Sequence, residues 1–599
     1  MNAVFHHVAR ATSDAADIPN IPTDQWISRA VDYERAGDLP AARRNALRSI
    51  GINARNITSL MLLARVELAL GRASRAVAPL KRAARLRPVF AIRLIYARCL
   101  RKVGQITEAQ TELDAAVADM PQTAATYTVL GLTFENIHEP AQAAVFYRRG
   151  LAIVPDDGVI CHRLGRLLNE AGFVEEGCAL LERAQASHPA SSDLHLDHSV
   201  SLANMGRFHE ALDAIDHAVG IDPDNYRARH NRGHILLNLN RSHEAVVEFD
   251  RVLQVRPEFA QSRFSRACAL LKTGAYEDGW QEYEWRWKDC QTMPANLPGL
   301  PWQGESLAGR SLLLFTEQGF GDSLQFIRFA PELAARGAQV TVLAPPSLAR
   351  LIGAVDGVRA VISDPPPHDA FAFHCPLASL PYRLGVTLRS VPAAPYLTVA
   401  PALADEGASA VRALFPAELD RPEPVVGLVW SGAPRPFQIS ANLIDRRRSM
   451  QVAELAPLAS LPGVRFVSFQ FGAARQEVHD SKLPIIDVMQ GVSDFADTAA
   501  RLLAVDLLIA VDTSIVHLAG GLGAPVWTLS RFDGCWRWLE ERADTPWYPS
   551  MTLIRQPRPG DWAATIAVAR DKLEIWRDEW LAARNADARK EGIQDMEKR

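Results

Sequence analysis

The sequence predicts an α-helical repeat array followed by an α/β region with two parallel sheets. Five prolines at a constant spacing of 34 residues mark the first half. After Ser311, the helical period of about 3.6 residues gives way to short apolar runs that alternate with helical segments. A glycine turn, Gly319-Phe320-Gly321, follows the first of these runs and opens a helical pattern.

Length and composition exclude several classes of protein. A chain of 599 residues is too long for one core, so several domains are expected. A hydrophobic content of 48% and a charged content of 22% are those of a globular protein. The net charge of −4 gives no reason to expect nucleic acid as a partner. The seven cysteines include no CxxC spacing, so neither a zinc site nor a disulfide framework is indicated.

The two ends of the chain and its apolar runs bear on its location. No run reaches the roughly 18 apolar residues of a membrane-spanning helix. Residues 1–18 lack the apolar core of a signal peptide, so a cytoplasmic protein without a membrane span is expected. The charge-rich end, 583–599, is expected to fray.

The repeat is visible in prolines and in small residues. The prolines in register are Pro121, Pro155, Pro189, Pro223 and Pro257. Two glycine series keep the same step: Gly131, Gly165 and Gly233, and Gly104, Gly172, Gly206 and Gly274. Small residues suit positions where two helices cross closely, and proline ends the second helix of each unit. The pattern resembles the tetratricopeptide repeat, with seven to eight units between about 22 and 290.

Helical arrays of this kind commonly present a surface that binds other proteins. We expect the repeats to bind a protein; the alternative is a scaffold that only dimerises or spaces the second region. The join carries Trp280, Tyr283, Trp285, Trp287 and Trp302. Aromatic residues at this density predict an interface that seals the last repeat to the next domain, with a sugar-stacking platform as the alternative.

The second half predicts two sets of parallel strands. The predicted strands are 311–316, 338–343, 358–363 and 370–374 in the first set, and 425–430, 465–469, 484–488, 506–511, 525–529 and 551–555 in the second. Two sets joined by a Pro-rich linker predict two Rossmann-like halves that face a cleft. Ligands in such sheets bind beyond the carboxyl ends of the strands.

The glycine turn does not match a dinucleotide site. Leu324 stands where the third glycine of that fingerprint belongs. The second strand ends in Ala344-Pro345-Pro346, without an acid to hold a ribose. NAD and FAD are therefore not expected.

Three motifs carry a resemblance to a known group of enzymes. They are the run from Glu317 to Asp322, the run from Asp512 to His517, and Trp547-Tyr548-Pro549 with Gly560-Asp561-Trp562. They look like those of bacterial glycosyltransferases with tetratricopeptide repeats, whose catalytic half is similar to the ADP-heptose heptosyltransferases of the GT-B superfamily. Flagellin glycosyltransferases of alphaproteobacteria join these two parts. The resemblance covers about 275 to 565 in motif detail, and the repeats in architecture.

The resemblance implies an α-solenoid of tetratricopeptide repeats followed by an α/β GT-B region, with two Rossmann-like halves around a cleft. The predicted segments are 22–290, the repeats; 291–308, a linker; 309–402, the N-terminal half; 403–424, an interdomain linker; 425–582, the C-terminal nucleotide-sugar-binding half; and 583–599, a flexible tail. No cofactor or metal is expected beyond the nucleotide-sugar donor.

Asp322 is the predicted catalytic base. A glycosyltransferase must take a proton from the acceptor hydroxyl, and a carboxylate in the cleft suits that role. The structural alternative is a helix N-cap. Gly319 and Gly321 would let the backbone approach the substrate, while Glu317 and Gln318 could position the acceptor.

The run from Asp512 to His517 predicts a phosphate site. Asp512 ends a buried strand, and Thr513 and Ser514 begin a helix whose exposed N–H groups attract an anion. His517 lies one turn later on the same face. In the family this motif binds the nucleotide phosphates; the alternative is a capped core helix with a satisfied histidine.

A second loop is expected to support the leaving phosphate. Trp430-Ser431-Gly432 follows the first strand of the second set, and an arginine run follows that loop. A fixed arginine stabilises the charge of a departing nucleotide, and Arg448 is the chosen candidate. A solvated charge run is the alternative.

Three functions remain open from the sequence. The first is a protein O-glycosyltransferase that moves a sugar, a nonulosonic acid such as pseudaminic acid from its CMP donor, to Ser or Thr of flagellin held by the repeats. The second is a heptosyltransferase-like enzyme that acts on a lipopolysaccharide or polysaccharide. The third is a non-enzymatic flagellin-binding assembly factor.

Overall fold

The structure is a computed structural model that describes residues 21–118, 120–289, 293–294, 297–367, 369–393, 395–415 and 423–597. Residues 1–18, considered above for a signal peptide, lie outside the described residues. The chain divides into two compact units, residues up to Ile160 and residues from Cys161 onward. Among the described residues, no helix combines the length and apolar character needed to cross a bilayer.

The first unit is built from paired helices. They are α1 (Ile21–Arg35), α2 (Leu39–Ile52), α3 (Ile57–Ala69), α4 (Ala73–Leu86), α5 (Phe90–Lys102), α6 (Ile106–Val117), α7 (Ala124–Asn136) and α8 (Pro140–Ile153). Asp38, Asn56 and Thr123 cap three of these helices, each by accepting a hydrogen bond from a backbone N–H in the first turn.

The helix pairs continue beyond Ile153. They are α9 (Gly158–Glu170), α10 (Val174–Ser187), α11 (Ser192–Asn204), α12 (Phe208–Ile221), α13 (Tyr226–Asn238), α14 (Ser242–Val255), α15 (Ala260–Thr273) and α16 (Tyr276–Tyr283), followed by the short α17 (Arg286–Asp289). The predicted helical repeat is confirmed.

A backbone requirement explains one glycine series and the gaps in it. The turn inside each pair needs a residue with positive φ at one position of the 34-residue step. Gly104, Gly172 and Gly206 meet this need with φ of 83°, 87° and 79°. His138 and Asn240 fill the gaps at 59° and 58°, a conformation that these two residue types adopt more readily than most.

The other glycine series permits close helix crossing. A Cβ placed on Gly233 would lie 2.6 Å from Cε1 of Phe249, and Phe249 is fully buried. A Cβ on Gly165 would lie 2.9 Å from the carbonyl oxygen of Gly177. The small residues therefore stand where α13 meets α14 and where α9 meets α10.

Two parallel sheets follow the repeats. The first contains β1 (Leu300–Pro301), β2 (Ser311–Phe315), β3 (Gln339–Leu343), β4 (Val358–Ile362) and β5 (Phe373–Pro376), in the order β1-β5-β2-β3-β4. The second contains β6 (Val425–Val429), β7 (Arg465–Ser468), β8 (Ile485–Asp487), β9 (Leu507–Val511), β10 (Val526–Ser530) and β11 (Met551–Arg555), in the order β11-β10-β9-β6-β7-β8. Every predicted strand overlaps an observed one, and β1 was not predicted.

Helices connect the strands. They are α18 (Phe320–Phe326), α19 (Ala330–Ala335), α20 (Pro346–Gly353), α21 (Leu380–Leu384), α22 (Pro401–Arg412), α23 (Ile439–Arg448), α24 (Ala456–Ala459), α25 (Gln476–Asp480), α26 (Phe495–Leu502), α27 (Ser514–Leu522) and α28 (Trp562–Glu597). Helix α22 lies largely inside the predicted linker 403–424, and α28 runs through most of the predicted tail. Residues 416–422 and 598–599 lie outside the described residues.

Gly233 offers a test of the close crossing in the repeats. We expect Gly233→Ala to destabilise the repeats by about 1–3 kcal/mol, because the new methyl group overpacks a buried ring. Gly220 is the matched control: it lies in α12, and a Cβ there would meet nothing within 4 Å. Gly220→Ala should stabilise its helix by up to about 1 kcal/mol. Thermal unfolding followed by circular dichroism measures both, and equal midpoints for the two variants would contradict the packing argument.

Candidate functional site

The glycine turn and Asp322 lie at the carboxyl end of β2. Helix α18 starts after Gly319, and Asp322 is its third residue. The Asp322 carboxylate accepts a hydrogen bond from the N–H of Gly319 at 2.8 Å, so it caps the helix from inside the first turn and is not the N-cap residue. Its side chain remains 22% exposed. The carboxylate therefore has a structural contact and access to solvent.

Arg537 is the charged partner of Asp322. Its guanidinium pairs with the second carboxylate oxygen and also donates to the side-chain oxygen of Gln325. The planar guanidinium packs over the Trp536 ring, 4.2 Å from the ring centroid. Arg537 is buried, so its position is set by these partners and not by solvent. The pair joins the first sheet's turn to the loop after β10.

The start of α27 lies next to the glycine turn. A Cβ placed on Gly321 would lie 3.4 Å from Cα of Ser514 and 2.7 Å from Cδ2 of His517. Only glycine fits there without displacing the buried His517 ring. Because residue 321 has no side chain, the glycine turn after β2 can lie against the start of α27, which follows β9. The two predicted motifs are therefore neighbours at the carboxyl ends of these strands.

The first turn of α27 keeps the features of an anion site. Thr513 is the N-cap residue in an extended conformation, and its side chain makes no capping hydrogen bond. Helix α27 spans nine residues, so its first N–H groups carry the positive end of a helix dipole. The geometry allows an anion to accept hydrogen bonds from this turn.

His517 is a buried neighbour of this turn. Its Nδ1 lies 2.9 Å from the Tyr548 hydroxyl, and its ring stacks on Trp538 at 5.5 Å between centroids. Burial, and then the charges of Arg537 and Arg328, hold the pKa of His517 well below its usual range. The imidazole is therefore neutral at physiological pH. The alternative of a satisfied core histidine accounts for all these contacts.

Asp512 and Arg448 meet at the end of β9. The indole N–H of Trp538 donates to the Asp512 carboxylate at 2.8 Å. Arg448 approaches the Asp512 carbonyl oxygen at 3.4 Å and is held by the buried Asp445 at 2.7 Å. A Cβ on Gly432 would lie 2.5 Å from the Arg448 guanidinium, so the glycine allows this contact. The structure brings Arg448, Gly432 and Asp512 together.

Ser431 and Trp430 differ in accessibility. Gln470 accepts from both of their backbone N–H groups, at 3.0 and 3.1 Å, and thereby fixes the loop after β6. Ser431 is half-buried in that loop. The Trp430 side chain is fully buried and its indole N–H donates to Glu477 at 3.0 Å. Trp430 thus contributes packing beneath the loop.

Arg435 is a further basic residue of this loop. A Cβ placed on Gly319 would lie 3.7 Å from its guanidinium, so Arg435 reaches from the second sheet to the glycine turn of the first. Its φ of 44° is unusual for a residue that is not glycine. Arg435 is exposed, and it adds positive charge beside Asp322.

Glu317 and Gln318 hold the last repeat to β2. Glu317 accepts from Arg286 at 2.7 and 2.9 Å and from the N–H of Ala378 at 3.0 Å. Gln318 contacts the hydroxyl of the buried Tyr283 at 3.2 Å. Burial disfavours the charge of Arg286, but Glu317 beside it outweighs burial and raises the pKa of Arg286. These contacts give Glu317 and Gln318 a joining role.

An aromatic cluster connects the last repeat to the loop that carries Arg537. Trp280 packs edge-to-face on Trp536 at 5.2 Å and on Phe326 at 6.1 Å. The indole N–H of Trp547 donates to the Tyr276 hydroxyl at 2.9 Å. All five rings are buried, which supports the predicted interface and not an open sugar-stacking platform.

Two polar contacts from earlier turns of the array reach the same loop. Asn240 donates to the Phe532 carbonyl oxygen at 3.0 Å, and Ser242 donates to Glu540. The segment around Arg537 is therefore held on one side by the repeats and on the other by α18.

Two residues of this site were missed by the sequence argument. Arg435 and Arg537 follow strands by several residues, outside the runs that carry the resemblance. The Trp536-Arg537-Trp538 triplet offered a signal, because a cation between two aromatic residues in a loop seldom faces solvent on all sides. The partner of Arg537 is 215 residues away and is not visible in the sequence.

Comparisons with known proteins identify the repeats. Residues 230–284 match the tetratricopeptide repeat family model, so the chain contains tetratricopeptide repeats. The chain is 27% identical over 507 residues to protein FlbA of Caulobacter vibrioides, a match that covers 79% of this chain and 82% of FlbA.

Solved structures are similar to part of the chain. One form of MamA MSR-1 has 21% identity and a TM-score of 0.25, and covers 27% of this chain and 93% of MamA. YrrB, a TPR protein with an unusual peptide-binding site, has 18% identity and a TM-score of 0.21, and covers 31% of this chain and 96% of YrrB. At these TM-scores neither likeness carries an inference about this chain.

Trp280 offers a test of the aromatic cluster. We expect Trp280→Ala to cost about 3–5 kcal/mol of local stability, because a large buried ring is lost. Amide hydrogen exchange should increase in the segment 532–541, since that segment packs on the indole. Trp285→Ala is the control: Trp285 is half-buried and stacks on Arg263 and Lys288. Faster exchange in 532–541 for both variants, or for neither, would contradict the connection.

Proposed function

We propose that the chain is a protein O-glycosyltransferase of the GT-B type that transfers a sugar to Ser or Thr of flagellin held by the repeats. The donor is a nucleotide sugar, and a CMP-linked nonulosonic acid is the proposed one. The observation that carries the proposal is the close approach of Gly321 to Ser514. It supports a shared site because a carboxylate and an anion-binding helix start then lie on either side of one small space.

The proposed chemistry follows from these two groups. The acceptor hydroxyl oxygen attacks the anomeric carbon, and the bond from that carbon to the nucleotide oxygen breaks. Asp322 takes the hydroxyl proton; each of its oxygens has one protein contact and can accept a further hydrogen bond. Arg537 orients the carboxylate through the ion pair.

The leaving nucleotide develops negative charge, which nearby positive groups would stabilise. The first N–H groups of α27 offer a partial positive charge. Arg448 is fixed beside Asp512, and Arg435 lies beside the glycine turn. Because Arg448 is held by Asp445, it is already oriented before a ligand binds.

The proposed acceptor rests on the repeats and on the resemblance. Tetratricopeptide repeats commonly bind protein segments, and a transferase that modifies a protein needs such a surface. The last repeat is joined to β2 by Glu317 and Arg286, so a bound acceptor would be held at a constant distance from Asp322.

One observation favours a second candidate, a non-enzymatic flagellin-binding factor. The Asp322 carboxylate is engaged by both Arg537 and the Gly319 N–H, so both of its oxygens already have a structural partner. A protein that kept the fold for binding alone would tolerate the loss of the Asp322 carboxylate.

Intact mass of flagellin tests the enzyme directly. Co-expression with donor synthesis and the wild-type chain should add the mass of the sugar to flagellin. Asp322→Asn should reduce modification by about 10²–10⁴-fold, because the general base is lost. Glu332→Gln is the control: Glu332 pairs with Arg336 at the surface, and the variant should leave modification intact. Unmodified flagellin with the wild-type chain, or full modification with Asp322→Asn, would refute the proposed reaction for this acceptor.

Nucleotide binding gives a separate test. CMP at 100 times its Kd should stabilise the protein by about 2.7 kcal/mol, which raises the thermal midpoint. Arg435→Met should weaken CMP binding by roughly 10- to 100-fold, because a charge-assisted hydrogen bond is worth about 1.5–3 kcal/mol. Arg446→Met is the control: Arg446 is exposed, as Arg435 is, and its replacement should leave CMP binding unchanged.

The choice of nucleotide separates the candidates. A shift with ADP alone would favour the heptosyltransferase-like enzyme. No shift with CMP, ADP or UDP would favour the non-enzymatic factor. An equal loss of the shift in both arginine variants would contradict the role of Arg435.

A further inference from the structure

Three side chains converge between α10 and α11, away from the proposed transferase site. The Cys178 sulfur, a Glu182 carboxylate oxygen and the His198 Nε2 all lie within 4.8 Å of one another. The sulfur is 3.7 Å from Glu182 Oε1, and His198 Nε2 is 3.8 Å from the same oxygen. Cys178 and Glu182 stand four residues apart, so they share one face of α10.

His198 has a buried nitrogen that needs a partner. The residue is only 8% exposed, and its Nε2 has no hydrogen-bond partner among the described residues. A buried polar nitrogen left unpaired costs about 1–3 kcal/mol. This nitrogen points towards Glu182 at a distance too long for a hydrogen bond. A small ligand between the two groups would satisfy it.

The second nitrogen of His198 has the partner that a metal-binding histidine requires. Nδ1 lies 2.9 Å from the Gln185 amide nitrogen. Turning the amide by 180° places its oxygen there, so that Nδ1–H donates and Nε2 is left with its lone pair. The turn also replaces the 3.2 Å contact between the same amide nitrogen and Nδ1 of His195. Such an outer contact orients the imidazole towards a metal ion.

Two of the three distances between ligand atoms are close to those of tetrahedral coordination. Bond lengths of about 2.3 Å to sulfur, 2.0 Å to nitrogen and 2.1 Å to oxygen place sulfur about 3.6 Å and nitrogen about 3.4 Å from the carboxylate oxygen. The observed 3.7 and 3.8 Å differ from these values by a few tenths of an ångström. The third distance, from sulfur to Nε2, lies within 4.8 Å, and side-chain rotation would bring it to the roughly 3.5 Å of a tetrahedral site.

We propose that Cys178, Glu182 and His198 bind a divalent transition-metal ion, with Zn²⁺ as the best match. Thiolate, imidazole and carboxylate are all zinc ligands, and the mixed set is soft enough to disfavour Mg²⁺ and Ca²⁺. The Cys178 thiol proton is released to solvent on binding. The Glu182 side chain is 49% exposed, so water can supply a fourth ligand.

Arg207 is the positive group that faces the site. Its guanidinium lies 3.6 Å from Glu182, and its charge opposes a bound cation. Glu210 holds Arg207 by hydrogen bonds, one of them 2.8 Å, and so offsets part of that charge.

The ligands come from two helices, which is why a search for CxxC spacing did not find the site.

Cobalt spectroscopy of the metal-free full-length chain tests the site. Co²⁺ should bind at one equivalent with a thiolate-to-cobalt charge-transfer absorption, and Zn²⁺ should remove it by displacement. A wild-type chain without this absorption overturns the proposal, whatever the variants do.

Variants assign the ligands. Cys178→Ser and His198→Gln should each abolish the absorption, while His243→Gln, which changes an exposed histidine of α14, should retain it. Gln185→Leu should weaken Co²⁺ binding by about 10- to 100-fold, because the outer contact to His198 is lost. Circular dichroism checks that each variant is folded. Absorption that persists in a folded Cys178→Ser or His198→Gln chain also overturns the proposal.

Discussion

The close approach of Gly321 to Ser514 and His517 is the constraint on which the site depends. A Cβ at 321 would lie 2.7 Å from the His517 ring, which is buried against Trp538 and Tyr548 and cannot move aside easily. With no side chain in the way, the turn after β2 and the start of α27 share one space. Asp322 follows directly, and its carboxylate pairs with Arg537, the residue before the Trp538 ring that stacks on His517.

A buried ion pair and an aromatic cluster hold this arrangement to the repeats. Arg286 is fully buried and pairs with both Glu317 and Glu284 at 2.7 Å, so loss of Arg286 would leave the buried Glu317 carboxylate without this charged partner. Trp280 packs on Trp536, the residue next to Arg537. The last repeat thus takes part in placing Arg537 against Asp322. Within the second unit, the helical repeats and the sheets are therefore not independent modules.

Much of the fold could be predicted because it depends on local repetition. The 34-residue step predicted the helix pairs, and the positive φ at the turns explains why His138 and Asn240 can replace glycine. Short apolar runs predicted both parallel sheets, since strands buried on both faces need continuous apolar residues. The roles of single residues were less predictable. Glu317 and Gln318 were predicted to position an acceptor, and their contacts with Arg286 and Tyr283 could not be read from the sequence.

The order of helices and strands, the turn glycines and the motif positions are properties of neighbouring residues, so the sequence alone determines them. Periodicity and backbone preference act over a few residues and need no knowledge of distant partners. The pairing of Asp322 with Arg537, the burial of Trp430 and the convergence of Cys178, Glu182 and His198 were decided only by tertiary structure. These contacts join residues that the chain separates, and only packing of the folded elements brings them within a few ångströms.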